Sequence, residues 1–365
     1  MNASVRVSTD DALDRICFAW PPTRDANGGD QSSDFGSSND PGFGLRCPIA
    51  VSRYDFAEDL IDSGAMWLAR YFDLDGTKLL EQIQIGAFHE LAGSTAAELS
   101  FESLERVHRW YLWLFLVDDV TDPAAYASSL QELQAMHAPL NRVLDGLAPE
   151  DDAPVIARML RDLLVDLRRR GDEAYFPKLI ADTRAYLQAN AWEAFLRHRK
   201  SLPSSSVYEA LRPDAGAAYT AFDLFPLLDE RYRLTPGEQD HVCINAMRTF
   251  ANLHISWVND IYGYEREMRE ENPSNLVLLY EREYVASPRA AKSLAIRKCN
   301  EVLDDYLDCR RAFDALAPSV SAEARNYVRM MDQWISGSLR WHYLSRRYRT
   351  THKVQAGQQL PRAGE

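Results

Sequence analysis

The sequence predicts an all-α fold, a single-domain bundle of about ten or more helices. Three observations carry that prediction. Apolar residues recur at spacings of three and four almost throughout, as a helix with one buried face requires. No sustained apolar/polar alternation marks a strand, and neither an internal repeat nor a glycine-rich phosphate loop is present. Short breakers punctuate the chain at helix-like intervals: Arg170-Gly171-Asp172, Ser201-Leu202-Pro203, Leu234-Thr235-Pro236-Gly237 and Ala286-Ser287-Pro288.

The elements follow in order. Residues 22 to about 45 are rich in Gly, Ser, Asp and Asn and cannot bury enough apolar surface to order themselves. Residues 1–48 are therefore expected to be a largely flexible arm. Phe72-Asp73-Leu74-Asp75-Gly76-Thr77 reads like the nucleophile motif of an aspartate-based phosphatase. The helical spacing of Met66, Leu68, Ala69 and Phe72 before it, with no α/β alternation after it, makes it an inter-helix turn before a helix starting near Thr77. Leu79, Leu80, Ile83, Ala87, Phe88 and Leu91 are spaced as on a helix, as are Leu104, Val107, Tyr111, Leu114 and Phe115. Further helices fit roughly 128–146, 153–170, 176–199, 206–231, 237–271, 287–315 and 321–347. The stretch 351–365 reads as a flexible tail, leaving 49–350 as the folded domain.

Composition narrows the function. With 365 residues, 46% of them hydrophobic, the chain can bury a large core. A net charge of -13 argues against nucleic acid or an anionic membrane surface as the main partner. No apolar run is long enough to span a bilayer, so no membrane insertion is expected. Cys17, Cys47, Cys243, Cys299 and Cys309 show no zinc-ligand spacing and read as reduced thiols of a cytoplasmic protein.

Two acidic stretches about 140 residues apart carry the chemistry. Asp118, Asp119 and Asp122 follow the apolar run WYLWLFLV, and Asp118 and Asp122 share a helix face. Two carboxylates about 6 Å apart repel by roughly 3 kcal/mol at an effective dielectric near 20, a cost a cation removes. Asn259, Gly263 and Glu267, after FANLHISWV, form a second stripe of hard oxygens interrupted by a glycine. Mg²⁺ prefers oxygen ligands of this kind, with substrate phosphates completing its shell. Arg266 offers a donor fork suited to phosphate, and a proline-glycine helix break places Arg212 four residues before Gly216. The last helix ends in Arg346-Arg347-Tyr348.

In this order and spacing, these motifs resemble class I terpene synthases (terpene cyclases) of the bacterial type, over roughly residues 50 to 350. The resemblance implies the α-helical bundle of that class and a site holding three Mg²⁺ ions. Asp118 would bind two of them and Asn259 with Glu267 the third. Asp122 is a further candidate ligand, as is the position of Gly263, where the family usually has a Ser or Thr hydroxyl. A water filling the space left by that glycine is expected to take the hydroxyl's place. Arg212, Arg266, Arg347 and Tyr348 would hold the diphosphate, with Gly216 marking the helix break beside it.

The implied reaction is ionisation of an isoprenyl diphosphate, farnesyl or geranylgeranyl, and cyclisation to a sesqui- or diterpene by a monomer or homodimer. Tyr111, Phe115, Phe222, Trp257 and Trp334 are the substrate-facing aromatics expected, beside Leu114, Ile255, Ser256, Phe225 and Trp341. Two alternatives remain from the sequence: a chain-elongating prenyl transferase and a non-catalytic helical interaction protein. The second acidic pentapeptide, Asp304-Asp305-Tyr306-Leu307-Asp308, would fit the former but reads better as a solvated helix face.

Overall fold

The computed structural model describes residues 44–348 apart from 56–57, 75–77, 122–129, 200, 271–273 and 317–319. Fourteen α-helices lie among the described residues: α1 Asp59–Leu68, α2 Lys78–Gly86, α3 Phe88–Thr95, α4 Phe101–Thr121, α5 Leu130–Leu144, α6 Val155–Arg170, α7 Phe176–His198, α8 Ser205–Ala215, α9 Ala218–Leu228, α10 Pro236–Gln239, α11 Val242–Arg269, α12 Leu276–Glu283, α13 Pro288–Ala315 and α14 Ala322–Leu344. A final 3₁₀ turn covers Arg346–Tyr348.

Two helices organise the bundle. On α4, Leu104, Val107, Trp110, Tyr111, Leu112, Trp113, Leu116 and Val117 are all buried, so the second half of the helix runs through the core, while Glu102, Glu105 and Arg109 keep its first turns partly solvated. Its indoles still find acceptors: Trp110 Nε1 donates to Thr220 Oγ1 at 3.0 Å and Trp113 Nε1 to the Ile156 carbonyl at 3.0 Å. The 28-residue α11 packs against α13 and α14 along much of its length, with α12 across its C-terminal half. Sequence-coded caps start several neighbours. Ser287 and Ser321 accept from the third-residue amides of α13 and α14, and Thr235 with Glu238 forms a reciprocal capping box on α10.

The structure departs from the sequence reading at several points. The segment spaced as one helix from Leu79 to Leu91 breaks at Ala87, whose φ is +49°. The break turns two carbonyls outward to one indole, with Trp341 Nε1 donating to Gly86 O at 2.8 Å and to Ala87 O at 3.1 Å. Helix α12 was not anticipated. Its eight residues offer little period to read, and its start depends on Asn275, whose side-chain oxygen accepts from the amides of Val277 and Leu278. Met66, expected on a buried face, is exposed, whereas Leu68 and Phe72 are buried as their spacing required.

Residues 44–48, placed in the arm by composition, are packed on α13. Arg46 N donates to Asn300 Oδ1 at 3.0 Å, its guanidinium pairs with Asp304 at 2.6 Å, and Cys47 is buried. Asp304 and Asp308 serve surface ion pairs with Arg46 and Arg311, as expected for a solvated face. The remainder of the arm, Cys17 and the tail lie outside the described residues, as does Asp122. No described helix is long and apolar enough to cross a membrane.

Candidate active site

The break between α8 and α9 sets the site's geometry. Helix α8 carries Pro213 in its last turn and ends at Ala215, and the αL residue Ala217 (φ +56°) redirects the chain into α9. The Pro213 carbonyl is taken by Asn252 Nδ2 at 2.8 Å, and the Ala217 carbonyl by Thr220 Oγ1 at 2.8 Å, so the break leaves these two acceptors satisfied. Gly216 closes α8 where a Cβ would come within 2.6 Å of Ser256 Oγ on α11, so only glycine permits this approach.

Against this corner lies an apolar cavity of about 100 Å³. Its walls are α4 (Tyr111, Leu114, Phe115, Asp118), the α8–α9 corner, α11 (Ile255, Ser256, Asn259) and α14 (Trp334, Ser338, Trp341, His342). The rings interlock: Tyr111 meets Trp334 edge-on at 5.4 Å, and Phe115 stacks on Phe88 at 4.0 Å. Tyr111, Phe115 and Trp334 thus sit where the sequence reading put them. Phe222, Phe225 and Trp257 do not line the cavity. They are wholly buried behind it: Phe222 backs Trp334 at 5.8 Å, and Trp257 turns towards Tyr208. Helix periodicity put them on buried faces but could not say which buried face met the cavity.

A second, polar chamber of about 70 Å³ adjoins the first and shares Asp118, Arg212, Ala215 and Asn259 with it. Asn190, Glu193, Arg197, Arg266, Glu267 and Ser274 complete its lining. Asp118 is held by Tyr186, whose hydroxyl donates to Oδ1 at 2.7 Å. Arg212 donates through Nε to Asp260 Oδ1 and through Nη2 to Asn259 Oδ1, both at 2.9 Å. Burial opposes the Arg212 charge, but the adjacent Asp260 carboxylate keeps its pKa well above the ordinary value. Burial likewise pushes the Asp260 carboxyl up, against the pull of Arg212, the Leu276 amide and the Tyr208 hydroxyl.

Asn259 has its amide fixed on both sides. Its Nδ2 donates to Tyr348 Oη at 3.0 Å and to His342 Nε2 at 3.3 Å, which turns Oδ1 towards Arg212 and the chamber. His342 is suited to accept: Nδ1 lies 2.8 Å from the Ser338 carbonyl, and burial lowers its pKa to about 3, so the ring is neutral. Arg347 lies with its guanidinium carbon 5.3 Å from the Phe115 ring centroid, above the aromatic wall.

Glu267 is held by Asn275 Nδ2 at 2.8 Å and Arg266 Nη2 at 3.3 Å. Burial pushes its carboxyl up to about 7, against the pull of Arg266 and the Asn275 amide. Gly263 departs from the expectation of a space kept for water. A Cβ there would lie 2.5 Å from Glu267 Oε1, so the carboxylate of the next turn already fills the gap. Gly263 offers no side-chain ligand and instead lets Glu267 fold back against its own helix.

Oxygens of Asp118, Asn259 and Glu267 face one chamber, and Glu267 carries a desolvation cost that a cation would relieve. This donor set fits a divalent metal. No group of three or more His, Cys, Asp or Glu side chains placed to hold a metal occurs among the described residues. The sequence reading missed Tyr186, Asn190, Glu193 and Arg197. Their spacing of four, three and four puts them on one face of the helix. Asp260, Asn275, Tyr208 and His342 were also missed, since each acts through partners distant in the chain.

An apolar, aromatic-walled cavity capped by an acid-, amide- and arginine-lined chamber, within an all-α bundle, defines a class I terpene synthase of the bacterial type. The chain belongs to terpene synthase family 2, whose C-terminal metal-binding model matches residues 109–305. It is 28% identical over 297 residues to a (+)-T-muurolol synthase of Roseiflexus castenholzii described as cyclising (2E,6E)-farnesyl diphosphate, covering 81% of this chain and 91% of that one. It is also 28% identical over 309 residues to a 4-epi-cubebol synthase of Streptosporangium roseum with the same described substrate, covering 83% and 91%. The crystal structure of germacradien-4-ol synthase from Streptomyces citricolor shares the fold, with a TM-score of 0.72 at 20% identity over 82% of this chain and 97% of that one.

Proposed function

We propose that this enzyme is a Mg²⁺-dependent sesquiterpene cyclase acting on farnesyl diphosphate, with three ions in the loaded site. The observation that carries the reading is the adjacency of the polar chamber and the aromatic cavity, whose shared wall includes Asp118, Arg212 and Asn259. A substrate spanning both places its diphosphate among arginines and its hydrocarbon tail among rings. The described substrate of the T-muurolol and 4-epi-cubebol synthases favours a C15 tail over C20.

Bound metal would neutralise charge on the leaving diphosphate, with Asp118, Asn259 and Glu267 as its protein ligands. Asp122 joins them as a candidate on its motif alone. Arg212, Arg266, Arg347 and Tyr348 bind the diphosphate oxygens and orient the allylic C–O bond at the junction. When that bond breaks, its electron pair leaves with the diphosphate and the cation remains among Tyr111, Phe115 and Trp334. Their ring faces stabilise it by about 1–2 kcal/mol each once water is excluded. The walls then hold the chain folded while the cation attacks its own double bonds.

The test is incubation with Mg²⁺ and C10, C15 or C20 diphosphates, each alone and with isopentenyl diphosphate, followed by mass spectrometry of the hexane extract. Cyclic C15 products from farnesyl diphosphate alone are expected. Elongated diphosphates, formed only with isopentenyl diphosphate, would overturn the reading in favour of a prenyl transferase. Cyclic C20 products as the main outcome would overturn the chain length.

A further inference from the structure

Helix α7 presents a face to the polar chamber that the proposed reaction has not used. The Tyr186 hydroxyl ties this helix to the end of α4 through Asp118 Oδ1 at 2.7 Å and the Leu114 carbonyl at 3.2 Å. From that anchor, Asn190, Glu193 and Arg197 follow at helical spacing and line the chamber together with Arg266 and Glu267. Asn190 is 6% exposed, and its Nδ2 has no hydrogen-bond acceptor in the protein. A buried donor left without a protein acceptor marks a place where a ligand supplies one.

The chemistry of that group selects the ligand. An amide N–H donates, so it seeks an oxyanion and not a cation. Arg197, Arg212 and Arg266 line the same space, and an anion with several acceptor oxygens can accept from the amide and from these guanidinium groups together. Glu193 lies between Asn190 and Arg197 on the same face. Its charge acts on Arg212 and Tyr208, so it is a counter-charge within the wall.

We infer that α7 is a further wall of the diphosphate site, with the Asn190 amide and the Arg197 guanidinium donating to diphosphate oxygens. The inference rests on the proposed function and adds two binding residues to it. It also assigns α7 a task distinct from cavity shape, since neither residue reaches the aromatic walls.

Calorimetric titration of inorganic diphosphate into the full chain at fixed Mg²⁺ tests it. Asn190→Leu and Arg197→Gln should each weaken binding about tenfold, the usual worth of a hydrogen bond to a charged group. Asn190→Asp should weaken it further by adding a negative charge. Asn190→Leu should not lower the melting temperature of the ligand-free protein, since the amide serves no other protein group. With farnesyl diphosphate, both variants should raise KM and keep the product ratio.

Wild-type affinity in both Asn190→Leu and Arg197→Gln would overturn the inference alone. Tighter binding by Asn190→Asp would also overturn it, since the position would then be serving a cation. A lowered melting temperature in Asn190→Leu together with unchanged affinity would assign Asn190 to packing. Wild-type protein that neither binds diphosphate nor makes hydrocarbons would overturn the proposed function, and this inference with it.

Discussion

The two halves of the site meet at Asp118, Arg212, Ala215 and Asn259, yet they are built on opposite terms. The aromatic half is a solid wall: Tyr111, Phe115, Trp334 and Trp341 lean on one another and on buried neighbours, and nothing polar need be broken for a tail to enter. The polar half is wired to itself. Arg212 holds Asn259, Tyr186 holds Asp118, and Glu267 is folded back against Gly263 and Asn275. Shape is therefore preorganised in the first half, whereas in the second each proposed ligand must exchange a protein partner for substrate or metal.

The contrast breaks most visibly at the acids. Asp118→Ala and Glu267→Ala should each reduce turnover by about 10²–10³-fold or more with the helical circular dichroism signal intact, since each removes charge stabilisation in the transition state. Near-wild-type rates in either would remove that residue from the ligand set. Arg212→Ala and Arg347→Ala should lower kcat/KM by about 10–100-fold without new products. A changed product ratio would instead place these arginines in the shaping half.

The pH response tests whether the polar half is poised for a cation. Burial raises the Glu267 carboxyl from 4.5 to about 7, so the folded state binds its proton more tightly than the unfolded chain. Its contribution to stability is therefore full below pH 4.5 and lost as pH rises to about 7. Metal needs the ionised form, so Mg²⁺ affinity should climb by up to about tenfold per pH unit below 7 and level off above it. Titrations at pH 6, 7 and 8 would show the slope, and Glu267→Gln should flatten it.

Smaller effects sharpen the comparison. Gly263→Ala gains about 1 kcal/mol of helix propensity but pushes the Glu267 carboxylate out of its recess, so the Mg²⁺ requirement should shift several-fold at similar melting temperature. Gly263→Ser should retain more activity, because its hydroxyl supplies an oxygen where alanine supplies none. Phe115→Leu and Trp334→Phe should keep rates within about tenfold while changing the hydrocarbon profile, whereas Phe222→Leu and Trp257→Phe should cost stability with little change of product. New products from Trp257→Phe would move that ring into the functional wall.

What could be read from the sequence divides along similar lines. Helix identity was legible, because period and breakers are local, and so were the acid and arginine motifs, because each lies within one helix or turn. The α2–α3 corner was not, since Ala87 takes its conformation from an indole 254 residues away. Nor was the fate of Gly263, which depends on a rotamer of Glu267. Phe222 and Trp257 show the same limit: hydrophobic spacing reports that a face is buried but not whether it meets a neighbour or a cavity.

Trp341 has a consequence for how new products could arise. Its ring walls the cavity while its indole N–H pins the α2–α3 corner through Gly86 and Ala87. Trp334, two turns earlier on the same helix, walls the cavity with an indole N–H that serves no protein acceptor. Mutations at these two positions are thus unequal for a lineage exploring cyclisation outcomes. Position 334 can vary with few other obligations, whereas variation at 341 loosens a corner of the scaffold and is open only to a protein with stability in reserve. Innovation in this enzyme should enter α14 at its middle, with Trp341 among the last of its rings to change.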